Sequence, residues 1–253
     1  IEVSIVGDIP RERAMELAAR YLGSLPSRER ISSETHDSRR ALQRPKGPRV
    51  TDVRVPSQTP QAMVMAGFYG PDVDNVADAR AMQLAARIMS TRMVTRVREQ
   101  EQLVYSIGAQ ASPGTAYPGF GLFVAGAPTD PAKAQRLGEV LLEMYAQFAE
   151  DGPTQEELDV AKKQFANTLD EEMKQPQWWL ERTQSATYRG VSLDDVVSLP
   201  QAMQAMTTEQ VRDVFAKYWA TENSVKMTLV PEMAPAPEGA NAPAGSGGAA
   251  PKN

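Results

Sequence analysis

The chain has 253 residues, 42% of them hydrophobic and 23% charged, enough to bury a sizeable core without disulfides or metal. A net charge of −5 argues against a general nucleic-acid binder, and no apolar run approaches the roughly 18–20 residues of a membrane span. Cysteine is absent and His36 is the single histidine, so disulfides and thiolate chemistry are excluded and a complete catalytic zinc site within the chain is not expected.

Residues 1–6, IEVSIV, alternate and are β-branched, which predicts a strand ending at Gly7-Asp8. No initiator methionine or signal peptide precedes it, so the chain reads as a fragment or a processed product. A helix follows to Leu22 with Met15, Ala18, Ala19 and Leu22 on one face, and Gly23 stops it. Residues 24–48 are polar, contain three prolines and read as a linker, in which His36 is a solvated residue rather than a ligand. Residues 49–56 predict an edge strand ended by Pro56, and residues 61–69 a buried strand. Asp72 and Asp74 in the loop GPDVDN fall short of a calcium loop's ligand count and read as a turn. A long helix from Val76 to Arg98 buries Ala81, Leu84, Ala85, Ile88 and Met89.

After a short polar break come two strands, about 103–111 and 119–127, joined as a hairpin by SPGTAYPG. Gly119, Gly121 and Gly126 lack the spacing of a phosphate loop and read as places where something packs closely. Leu137, Val140, Leu141, Met144, Tyr145 and Phe148 define a helix over 131–150. Thr154 with Glu157, and Thr207 with Gln210, spell two capping boxes that start further helices. Between them Pro176 opens a helix carrying Trp178 and Trp179, and 192–204 reads as helical. A strand over 224–230 closes the fold, and 16 of the last 23 residues are Pro, Ala or Gly, a flexible tail. The order predicts an α+β layer fold, a mostly antiparallel sheet with helices packed on one face.

The stretch from Thr91 to Gln110 carries the functional candidates. Arg98 ends the helix and Tyr105 stands seven residues on, so a fixed charge with a fork of donors and a neutral hydroxyl can converge on one carbonyl oxygen. The other reading of the same residues is a surface ion pair at Arg98 and a tyrosine packed in the sheet. Arg92 and Arg96 lie on the same helix, so spacing does not single out one arginine. Trp178 and Trp179 read as core or interface anchors, with one of them pointing away from the other.

TRMVTRVREQEQLVYSIGA resembles the signature of the so-called inactive or C-terminal domain of the pitrilysin/insulinase-like zinc metallopeptidases. The likeness continues through PGFGLFVAGAPTDPAKAQ, AEDGPTQEELDVAKKQF and TTEQVRDVFAKYW, and the opening 28 residues are similar to the end of the preceding domain in these enzymes. Many members carry a glycine where Gln102 or Val104 stands, and Arg-Leu-Phe where Arg92-Met93-Val94 stands.

The resemblance implies a half of a clam-shell built from related α+β domains. Residues 1–23 would be the last strand and helix of the preceding domain, 24–48 a linker, 49–231 the C-terminal inactive domain and 232–253 a tail. It implies a substrate-binding, non-zinc half of a bacterial periplasmic or secreted metalloendopeptidase. Zinc would be held by an N-terminal zinc-bearing partner half, and this chain alone would bind no metal and be inert. On the family's positions, Arg98 and Tyr105 would bind the peptide and stabilise the scissile carbonyl. The alternative is a catalytically silent scaffold subunit of the same fold.

Overall fold

Five strands, β1 (Arg49–Ser57), β2 (Ala62–Gly70), β3 (Gly108–Ser112), β4 (Gly121–Thr129) and β5 (Ser224–Met233), form one sheet in the order β1-β5-β2-β4-β3. The computed structural model describes residues 3–29, 31, 33–184, 186 and 192–233. Every neighbouring pair is antiparallel except β1 with β5, so the fold is the expected α+β type with a mostly antiparallel sheet.

Strand periodicity decides which residues become core. Ala62, Val64, Ala66 and Phe68 of β2, and Phe123, Ala125 and Ala127 of β4, point to one face and are buried. Helices α3 (Val76–Met93), α4 (Ala134–Asp151) and α9 (Thr208–Tyr218) meet there, and α5 (Gln155–Glu172) packs on α3. Phe68 stacks on Phe123 at 5.1 Å, with Tyr145 and Phe215 edge-on at 5.6 and 5.2 Å. Full burial of a side chain such as Phe68 is worth about 1.5–3 kcal/mol. On the opposite face Met63, Met65, Leu122 and Met227 remain exposed.

Both predicted capping boxes are made: Thr154 with Glu157 opens α5, and Thr207 with Gln210 opens α9. The hairpin over SPGTAYPG joins β3 to β4. Gly121 packs so closely that an added Cβ would lie 1.9 Å from the Pro71 carbonyl oxygen. Asp72 accepts the Gly119 N–H with both carboxylate oxygens, at 2.8 and 2.7 Å, so it pins a turn.

Several boundaries differ from the sequence expectation, each for a tertiary reason. Residues 3–6 form no strand, because none of the five strands lies alongside to take up their backbone groups. The helix that follows, α1 (Arg11–Leu22), buries none of its residues, and Met15 and Tyr21 are 61% and 68% exposed. The polar stretch 24–48 contains a helix, α2 (Ser33–Arg40), tethered where Arg40 Nε donates to the Ala116 carbonyl at 2.6 Å. Pro56 does not end β1, since an edge strand tolerates a residue without an N–H. β5 likewise continues through Pro231 to Met233 because β1 stays alongside it. The strand expected over 103–111 is regular only from Gly108, and the helix expected over 192–204 splits at Ser198 into α7 (Leu193–Val197) and α8 (Leu199–Gln204). The tryptophan-bearing helix is α6 (Pro176–Thr183). The flexible tail expected beyond residue 231 lies, from 234 on, outside the described residues. Among the described residues no helix is long and apolar enough to cross a membrane.

Candidate functional site

The α-helical geometry of α3 does not reach Arg98. From Val94 to Gln100 the helix widens into a π-helix, and the Glu101 N–H donates to the Arg96 carbonyl, five residues back, at 3.0 Å. Such segments frequently occur at functional sites. Val97 is fully buried and anchors the segment, while Arg98 on its outer side is exposed.

Three arginines, Arg92, Arg96 and Arg98, lie near the end of this helix, and their surroundings separate them. Arg92 is locked by Glu157, with Nε and Nη2 donating to its two carboxylate oxygens at 2.6 and 2.7 Å, and Nη2 also reaches the Gly152 carbonyl at 2.9 Å. The Arg92 hydrogen bonds hold the Glu157 carboxyl down to about 2, against the opposing effect of burial. Arg96 pairs with Glu143 and, at 3.4 Å, with Glu101. Arg98 forms no ion pair among the described residues. Its guanidinium carbon instead lies over the Tyr105 ring, 5.9 Å from the centroid.

Tyr105 is 89% exposed, on a turn that is itself tightly held. The Leu103 N–H donates to the Val97 carbonyl at 3.0 Å, and the Leu103 carbonyl accepts from Thr129 Oγ1 at 2.6 Å. Lys133 Nζ donates to the Gln102 carbonyl at 2.8 Å. Val104 bridges to Thr129, whose strand partner is Ala62, so Tyr105 stands at the end of the sheet where β2 begins and β4 finishes. Gln102 lies at φ +52°, left-handed backbone that favours glycine.

Arg98 and the Tyr105 ring therefore share one exposed patch of surface. Both side chains can donate a hydrogen bond. The arrangement can hold and polarise an acceptor oxygen. The sequence offered both residues as candidates, and the structure adds the π-helix, the left-handed Gln102 and the clamps from Thr129 and Lys133 around them.

The other candidates have structural surroundings. His36 is half-buried on α2. Trp178 is buried and Trp179 partly so, meeting edge-on at 4.8 Å, with Trp179 Nε1 donating to the Met173 carbonyl at 2.8 Å. A cleft of about 510 Å³ between α3, α4 and the start of α5 is lined by Thr95, Gln147 and the Arg92–Glu157 pair, and excludes both Arg98 and Tyr105. Among the described residues no three His, Cys, Asp or Glu side chains converge where they could hold a metal ion. These side chains do not fit zinc.

Residues 1–165 match the sequence profile of the family described as the peptidase M16 inactive domain. Among solved structures, the peptidase M16 inactive domain from Pseudomonas fluorescens superimposes with a TM-score of 0.74 at 22% identity, over 91% of this chain and 54% of that one. A protease from Helicobacter pylori gives a TM-score of 0.74 at 16% identity, over 89% and 54%. The periplasmic protease PqqL from Escherichia coli gives 0.64 at 18% identity, over 89% and 25%. The chain spans about half the length of the first two. No curated protein matches in sequence.

Proposed function

The chain belongs to the peptidase M16 family, in its inactive domain, and from that premise we propose that it is the substrate-gripping half of a zinc metalloendopeptidase. The observation that carries this is the sorting of the three arginines. Carboxylates occupy Arg92 and Arg96, while Arg98 stands over Tyr105 at the surface.

In the assembled enzyme the metal, and the water it activates, belong to the zinc-bearing half. This chain's residues bind and orient. The Arg98 guanidinium and the Tyr105 hydroxyl donate to the oxygen of the scissile carbonyl. Both bonds strengthen as that oxygen gains negative charge, because a donor fixed in advance favours the charged state most. Arg98 brings a positive charge with a fork of donors, and Tyr105 a single hydroxyl donor. The zinc-bearing half and a peptide are thus the partners. A periplasmic location is favoured by the likeness to PqqL, a periplasmic protease.

The test is Tyr105→Phe in the complete enzyme. Loss of one such donor lowers kcat by about 10²–10³, with zinc content unchanged. An unaltered kcat would sink this reading and favour the catalytically silent scaffold.

A further inference from the structure

Building on that role for Tyr105, we propose that Arg136, on α4, is a positioning residue that sets where Tyr105 stands, acting through Glu101. Glu101 is the first residue beyond the π-helix and begins the turn that carries Tyr105. Its carboxylate accepts from Arg136 Nε at 2.9 Å and Nη2 at 3.2 Å, and from Arg96 Nε at 3.4 Å. The same two arginines grip Glu143, Arg136 through Nη1 at 2.9 Å. Two carboxylates and two guanidiniums close into a ring, with Glu139 a further 3.9 Å contact of Arg136. Its effect on Tyr105 is through geometry.

The ring adds a side-chain hold to the Leu103, Thr129 and Lys133 contacts on this turn. A non-glycine residue at φ +52° opposes the bend, so releasing Glu101 leaves that strain resisted by those contacts alone and shifts Tyr105 relative to Arg98. Arg136 is 44% and Glu143 46% exposed in their side chains, and ion pairs this open contribute little to fold stability. The ring's consequence is the orientation of one turn. Arg136 uses all three guanidinium nitrogens in it, a fork that lysine cannot reproduce.

The experiment uses the complete enzyme with its zinc-bearing half, carrying Arg136→Met and Tyr105→Phe singly and together. The probe is a quenched fluorescent peptide that the wild type cleaves. Arg136→Met lowers kcat by up to about 5-fold, the population shift that partly exposed ion pairs can hold, with KM, zinc content and Tm unchanged, and Arg136→Lys restores only part of it. In the Tyr105→Phe background the same change costs less than about 2-fold, since residues acting as one unit are not additive. A second readout needs no turnover: the Arg98 Nε–H resonance, shifted by the Tyr105 ring, moves in Arg136→Met to where it lies in Tyr105→Leu. Additive losses, or a resonance that stays in place, overturn the assignment of Arg136. If the resonance moves while Tyr105→Phe leaves kcat intact, Arg136 does position the turn and the carbonyl-gripping role of Tyr105 is what fails.

Discussion

Thr129 Oγ1 donates to the Leu103 carbonyl at 2.6 Å across 26 residues of chain, a buried hydrogen bond that ties the end of β4 to the turn carrying Tyr105. Thr129→Val keeps the shape and removes the donor, leaving a buried carbonyl without its partner. That costs about 1–3 kcal/mol. Chemical denaturation measures the loss, and hydrogen exchange localises it to residues 101–105.

Gln102 and its backbone make a prediction of opposite sign. The left-handed conformation costs a residue with a Cβ roughly 1–2 kcal/mol, and glycine returns about 0.5–1 kcal/mol of that through its greater freedom when unfolded. Gln102→Gly is therefore neutral to stabilising by about 1 kcal/mol, whereas Gln102→Val, β-branched at φ +52°, lowers Tm. Thermal unfolding of the two variants side by side checks the order.

The three arginines respond differently to the same substitution. Arg92→Met strands Glu157 and breaks the contact with the Gly152 carbonyl, so Tm falls. Arg98→Met leaves Tm in place and lowers kcat of the complete enzyme by about 10²-fold. A matched loss of Tm in both variants would contradict the sorting by ion pairs.

Acid sensitivity follows from Glu157. Its carboxyl lies at about 2 in the fold against an ordinary 4.5, because Arg92 stabilises the charged form. A depressed folded value means that the unfolded chain binds the proton first as pH falls. The pair's contribution is complete above about 4.5 and is lost progressively down to about 2. Glu157→Gln removes this component, so its stability declines less steeply than that of the wild type over the same interval. Urea midpoints measured from pH 5 down to pH 2 show it.

Gly121 has no room for a methyl group. An alanine Cβ at this position would sit 1.9 Å from the Pro71 carbonyl oxygen, so Gly121→Ala forces β4 away from the loop that follows β2. The expected loss is about 1–3 kcal/mol, read from equilibrium unfolding.

Much of this chain was legible from local pattern. The apolar stretches 61–69 and 119–127 read as strands and became Ala62–Gly70 and Gly121–Thr129, and both capping boxes marked helix starts, because strand pleat and helix ends are set by residues within a few positions of one another. The Arg98 and Tyr105 candidates, and the family resemblance around them, were likewise readable along the chain. Local pattern failed where the deciding partner is distant. Residues 3–6 have the composition of a strand, but a strand needs another to pair with. Pro56 looked like a stop until β5, some 175 residues later, lay parallel to it. Nor did spacing say which of Arg92, Arg96 and Arg98 would remain unpaired. Glu157 and Glu143 reach the first two from helices 65 and 47 residues away, and only packing brings a carboxylate within reach of a guanidinium. Period and composition thus determined the elements, while the sites of charge neutralisation, and so which of these three arginines stays without a carboxylate, came from tertiary contacts.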